Sequence, residues 1–215
     1  MLEVKSPWNL KTLEKVPQNN DSQIESILEK ANEVSKSKGL DFPPDERIKV
    51  LKKFSQRIDK NLKELASLAA SEGGKPITDS LIEIKRGIDG VDCCIEVLKN
   101  DSGNVIPMNI DEASKNRMAF TQKEPIGVVL AISAFNHPFN LIIHQIIPAI
   151  ACGCVVIVKP AEDTPLSCIK ILQMLDESGL PKNRCFFVMP ETLELATKLV
   201  EDSRIDFFSF IGSSK

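Results

Sequence analysis

Residues 126–132 read Ile-Gly-Val-Val-Leu-Ala-Ile, and residues 154–158 read Cys-Val-Val-Ile-Val. Both are continuous apolar runs of strand length, rich in β-branched side chains. Between them, from Pro138 to Cys152, the period changes, with Ile142, Ile143, Ile146, Ile147 and Ile150 on one helical face. The same alternation continues downstream. Thr164-Pro165 opens a second helix, Thr164 as its cap and Pro165 in its first turn; Leu166, Ile169, Leu172 and Leu175 form its apolar face, and Gly179 with Pro181 marks its end. A third strand follows at Arg184–Val188, a third helix at Glu191–Val200 and a fourth strand at Ile205–Phe210. Strands apolar on both faces that alternate with helices belong to a parallel sheet covered on both sides.

Upstream the pattern is helical. After an extended start (Leu2–Val16), Asp21 is expected to cap a helix carrying Ile24, Ile27, Leu28, Ala31 and Val34, which Gly39 ends. Ile48, Leu51, Phe54, Ile58, Leu62, Leu65 and Leu68 then predict one long amphipathic helix, stopped by Gly73-Gly74 and Pro76. A third helix starts near Thr78, with Ile84, Ile88, Val91, Ile95 and Leu98 as its stripe. The stretch from Val105 to Gln122 mixes β-formers with a polar middle and reads as a long hairpin, either an oligomerisation element or a plain surface projection. The fold class is therefore α/β. A helical amino-terminal region (1–103) and a projecting β-hairpin (104–123) precede a Rossmann-like parallel sheet with flanking helices (124–215).

Composition narrows the function. Of the 215 residues, 27 are Lys or Arg and 30 are Asp or Glu, giving a net charge of -3. Nucleic-acid binding draws on surplus positive charge that displaces counterions, and there is none. No apolar run reaches membrane-spanning length and no opening segment resembles a signal peptide, so a soluble, cytoplasmic protein is expected. The six cysteines match no metal-site spacing and read as reduced thiols among apolar neighbours.

In an open parallel sheet, ligands bind beyond the carboxyl ends of the strands. That rule selects the loops Ser133–His137, Lys159–Asp163, Met189–Thr192 and Ile211–Lys215. The first lacks the G-x-G-x-x-G fingerprint, which excludes the common Rossmann phosphate turn. The second puts Lys159 and Glu162 just past a strand end, where a carboxylate can accept from both hydroxyls of a ribose; a lysine beside a loop glutamate is also an ordinary surface pair.

Five motifs then fall in order: Glu124-Pro125-Ile126-Gly127-Val128-Val129; Phe135-Asn136-x-Pro138; Gly153-x-x-Val156-x-Val158-Lys159-Pro160-Ala161-Glu162-x-Thr164-Pro165; Gly179-Leu180-Pro181; and Phe210-x-Gly212-Ser213. Together they resemble the NAD(P)-dependent aldehyde dehydrogenase superfamily, densely from Glu124 onward and more weakly at Ser6-Pro7, Arg47 and Gly74-Lys75-Pro76. The resemblance implies that the Asn136 side-chain amide donates to a developing oxyanion, although an asparagine there could also cap the helix starting at Pro138. It implies that Lys159, Ala161 and Glu162 hold the adenosine ribose, that Phe210, Gly212 and Ser213 form the turn receiving the pyrophosphate, and that Ile132, Ser133 and Phe135 line the nicotinamide. A carboxylate at Glu162 would repel a 2′-phosphate, which favours NAD while leaving NADP possible. A small aldehyde is the implied substrate, through a cysteine thioester, and a homodimer or homotetramer the implied assembly of the full-length protein.

Three positions depart from the family pattern: Ile211 where threonine is usual, Met189-Pro190-Glu191-Thr192 where glycines lie under the adenine, and His137 where phenylalanine is common. The resemblance also implies a general-base glutamate and a nucleophilic cysteine beyond Lys215, and none of the six cysteines matches. The 215 residues are thus expected to be the cofactor-binding part, truncated before the catalytic domain. Two alternatives stay open: a non-catalytic nucleotide-binding or assembly module, and a related reductase of semialdehydes or acyl phosphates.

Overall fold

The structure is a computed structural model that describes residues 1–213. The chain opens with a hairpin of β1 (Leu2–Lys5) and β2 (Thr12–Val16), paired antiparallel. Helix α1 (Asp21–Ser35) follows, capped by Asn20 rather than the expected Asp21. The Asn20 side chain accepts from the Gln23 amide, and the Gln23 side chain accepts from the Asn20 amide. That reciprocal pair leaves Asp21 in the first turn, where its charge still suits the helix dipole.

The single long helix expected over 48–68 is two helices, α2 (Pro44–Lys60) and α3 (Leu62–Gly73). Asn61 breaks it at φ -106° and ψ 15°, its side chain donating to the Arg57 carbonyl at 2.8 Å. A one-residue break hardly disturbs the phase of the apolar stripe, so periodicity alone does not reveal it. Helix α4 (Ile77–Asn100) precedes two short strands, β3 (Val105–Ile106) and β4 (Ala119–Phe120). These pair antiparallel as the stem of the expected hairpin, with a long irregular tip.

The remaining elements alternate as expected, with trimmed ends: β5 (Val128–Ile132), α5 (Asn140–Ala151), β6 (Val155–Lys159), α6 (Leu166–Glu177), β7 (Cys185–Phe187), α7 (Leu193–Glu201) and β8 (Phe207–Phe210). Their strands form one parallel sheet in the order β7-β6-β5-β8. Alternate residues divide its two faces. Ala131, Val156 and Val158 pack with α2, α4, α5 and α6, whereas Val128, Leu130, Val155 and Ile157 pack with α1 and α7. Gly127 opens β5 at φ +129°, and a Cβ there would stand 1.9 Å from Oδ2 of Asp206, which accepts the Val128 amide. Only glycine fits that entry.

The winding sets the site. From β5 the chain crosses to β6 and then β7, and returns to β8 on the other flank of β5. Helix α5 leaves β5 over one face of the sheet and α7 leads into β8 over the other, so the carboxyl ends of β5 and β8 bracket a candidate switch point, where open α/β sheets leave a crevice. No helix among the described residues is long and apolar enough to cross a membrane.

Candidate functional site

Phe210, Ile132 and Lys159 stand side by side across three strands at the carboxyl edge, Ile132 in register with each of the others. The ladder continues one step beyond: the Ser133 amide donates to the Lys159 carbonyl at 3.0 Å and the Ile211 amide to the Ile132 carbonyl at 2.9 Å. Gln145, buried on α5, ties β5 to β8 from below. Its Nε2 donates to the carbonyls of Ile132 and Ser209, both at 3.0 Å.

The predicted site residues gather along this edge. Ser133 is buried, and its Oγ has no hydrogen-bond partner among the described residues, an unsatisfied hydroxyl at the end of the sheet. Ala134 follows, then Phe135 and Asn136, both exposed. Lys159 is largely covered while Glu162 stands in solvent, with Nζ and Oε1 3.8 Å apart. At that length and exposure the pair is loose, leaving the carboxylate free for another donor. Ala161 is half-buried between them, and Gly212 and Ser213 lie exposed past β8. Ser214 and Lys215, part of the fourth predicted loop, lie outside the described residues. An unpaired hydroxyl, an available carboxylate beside a cation, and apolar rims at Phe135 and Phe210 are donors and surfaces that fit a nucleotide.

Two buried carboxylates support the edge, and the sequence reading missed both. Glu83 on α4 accepts the amides of Phe139 (2.8 Å) and Asn140 (2.9 Å), capping α5. Glu72 on α3 accepts those of Leu166 (2.7 Å) and Ser167 (2.8 Å), capping α6. Neither expected cap is used: Asn136 precedes the helix by too far, and the Thr164 hydroxyl reaches instead toward the Phe135 carbonyl at 3.5 Å. Burial pushes the Glu72 carboxyl up to about 7, against the lowering effect of Ser167 and the capped amides. Glu83 has a counter-charge. Lys75 Nζ pairs with its other oxygen, donates to the Asn136 carbonyl at 3.3 Å and lies 3.1 Å from His137 Nδ1. A signal for both glutamates existed, since each is a charged residue on the buried face of an amphipathic helix.

The departing positions can also be located. Met189 is fully buried, and Asn19 clamps its loop, accepting the Met189 amide through Oδ1 at 2.7 Å and donating its own amide to the Met189 carbonyl at 2.6 Å. His137 is half-buried beside Lys75.

Two of the cavities bear on where a substrate could sit. One of about 230 Å³ is lined by Asp79, Ile82, Glu83, Arg86, His137 and Asn140. A larger one of about 650 Å³ lies toward the opposite end, where Cys94, Cys152, Arg47, Pro125 and Pro148 are among its walls. The switch-point rule favours the smaller. Of the thiols at the larger, burial pushes Cys94 up to about 11 and raises Cys152, which disfavours the thiolate at both. Cys168 on α6 and Cys185 on β7 are raised by burial as well, Cys185 to about 12.

The fold is thus an open, helix-covered parallel α/β unit with its candidate ligand edge at the carboxyl ends of β5, β6 and β8. Within that class the chain belongs to the aldehyde dehydrogenase family, whose profile matches residues 1–215. A 3-sulfolactaldehyde dehydrogenase of Priestia aryabhattai is 38% identical over 174 residues, 81% of this chain and 36% of that protein. A lactaldehyde dehydrogenase of Methanocaldococcus jannaschii is 32% identical over the whole chain and 46% of its own length. Among solved structures, a glyceraldehyde-3-phosphate dehydrogenase of M. jannaschii in complex with NADP superposes with TM-score 0.90 at 27% identity, covering 100% of this chain and 46% of that one. Aldehyde dehydrogenase 21 of Physcomitrella patens, in complex with the reaction product succinate, gives 0.91 at 30%, covering 97% and 43%. The chain spans less than half the length of these relatives.

Proposed function

We propose that this chain is the cofactor-binding part of an NAD-dependent aldehyde dehydrogenase. The observation that carries this reading is the joint position of Asn136, Ser133 and the Lys159/Glu162 pair on one carboxyl edge of a parallel sheet. Glu162 accepts from the adenosine ribose hydroxyls, with Lys159 and Ala161 beside it. Ile132, Ser133 and Phe135 line the nicotinamide, while Phe210, Gly212 and Ser213 receive the pyrophosphate. When bound, NAD accepts the hydride. The Asn136 amide donates to the aldehyde oxygen as it becomes anionic upon attack by a cysteine thiolate from outside the described residues, the thioester route of the family. NAD is favoured by the Glu162 charge, with NADP as the alternative.

The substrate is a small aldehyde bearing a hydroxyl or acidic group. The cavity at His137, the next residue after Asn136, is lined mainly by polar side chains, and Arg86 there has no carboxylate partner among the described residues. Relatives named for sulfolactaldehyde and lactaldehyde agree with that class. The protein acts in the cytoplasm as a homodimer or homotetramer, with 104–123 as an assembly hairpin, which exposes Val105 and Phe120 in its stem and Met118 just before β4. Turnover of lactaldehyde and succinate semialdehyde by the complete protein tests the activity. Asn136→Ala is expected to lower kcat on the order of 100–1,000-fold, the loss typical of one oxyanion donor. An unchanged kcat would remove Asn136 from the mechanism.

A further inference from the structure

The loop that carries Asn136 has no regular structure of its own, yet an oxyanion donor must be held in place before reaction. Thr164 reaches the Phe135 carbonyl, and the contacts at Asn136 itself and beyond come from the amino-terminal helices and their connection. Lys75 lies in the connection between α3 and α4, and Glu83 lies one and a half turns into α4. The Glu83 side chain is 1% exposed and that of Lys75 14%. Glu83 Oε1 takes the amides of Phe139 and Asn140, fixing the first turn of α5. Its Oε2 takes Lys75, whose ammonium spans back to the Asn136 carbonyl and to His137 Nδ1.

The ammonium thus has three neighbours for its three protons, and as it can only donate, the His137 contact calls for Nδ1 as the acceptor. The stretch from Asn136 to Asn140 is therefore gripped at both ends by one buried ion pair. The Asn136 side chain is exposed and makes no hydrogen bond among the described residues, which suits it to face a ligand. A pair serving only fold stability would have no need to grip the main chain at the donor itself.

Resting on the reading of Asn136 above, we propose that Lys75 and Glu83 are positioning residues that set the orientation of the Asn136 amide through its main chain. Lys75 is not among the walls of the cavity proposed for substrate; Glu83 is, and its role here is exercised through the two amides and the ammonium that it holds. Removing Lys75 leaves the α5 cap in place but releases the Asn136 carbonyl; neutralising Glu83 keeps an acceptor for the two amides but loosens Lys75.

The test uses the complete protein with Asn136→Ala, Lys75→Met, Lys75→Arg and Glu83→Gln, measuring kcat, KM for NAD, and deuterium uptake of the peptide spanning 133–140. Lys75→Met is expected to lower kcat ~10–100-fold, the scale of a misplacement of about 1 Å. KM for NAD should stay within about twofold, since uniform binding is untouched. Uptake in 133–140 should rise, and Lys75→Arg should recover most of the lost rate. Glu83→Gln should follow Lys75→Met in direction. If Asn136→Ala abolishes activity but Lys75→Met and Glu83→Gln keep parental kcat and uptake, the positioning role is overturned and the Asn136 reading stands. If kcat and KM for NAD worsen together, with no rescue by arginine, the pair is merely structural and the inference fails. An unchanged rate in Asn136→Ala overturns both.

Discussion

At Glu72, burial and hydrogen bonding pull one carboxyl in opposite directions. Burial raises it from its ordinary 4.5 to about 7 despite the amides it caps. A carboxyl that binds its proton more tightly when folded contributes stability that is fully present below about 4.5 and is lost as pH rises through about 7. Carboxyls held low by cations, such as Asp202 beside Arg204, act below that window. The urea midpoint should therefore fall between pH 5 and pH 8, and Glu72→Gln should flatten that slope; an equal slope in both proteins would refute the assignment. Glu162 offers a second residue-scale prediction. Glu162→Gln should raise the NADP preference of the complete protein about tenfold, the effect of removing about 1.4 kcal/mol of charge repulsion. A cofactor ratio unchanged by this substitution would remove Glu162 from the ribose site.

Elements were legible in proportion to how local their causes are. The strands and helices from β5 to β8 follow from apolar runs and helical stripes, so only their ends shifted. The α2/α3 break was hidden because Asn61 interrupts the backbone without interrupting the stripe. Caps at α5 and α6 were hidden for a different reason. Their carboxylates come from Glu83 and Glu72, 56 and 94 residues from the first amide each receives, beyond any local motif. The hairpin was legible as an excursion but not as a surface. Its exposed Val105, Met118 and Phe120 are 81%, 87% and 69% accessible, a patch expected to be covered on assembly. Replacing all three with serine should shift the complete protein to a smaller species in sedimentation; an unaltered distribution would mean the hairpin is only a projection.

For the whole molecule, the topology does most of the functional work. Switching direction at β5 places loops distant in sequence on one edge, and Lys159 next to Ile132 and Phe210 is a consequence of strand order. The sequence motifs identified these residues individually. Their shared edge required the parallel register, and their rigidity required Gln145, Glu72 and Glu83, which no motif marked. Family membership is explained at this scale too, since the match extends over helices and sheet alike. The central claim, that this edge binds NAD, is tested most directly by calorimetric titration of NAD into the 215-residue chain, with circular dichroism to verify the fold. Saturable heat that weakens in a Lys159→Met, Glu162→Ala double variant is the predicted result; a folded chain that gives no heat at millimolar NAD would contradict it.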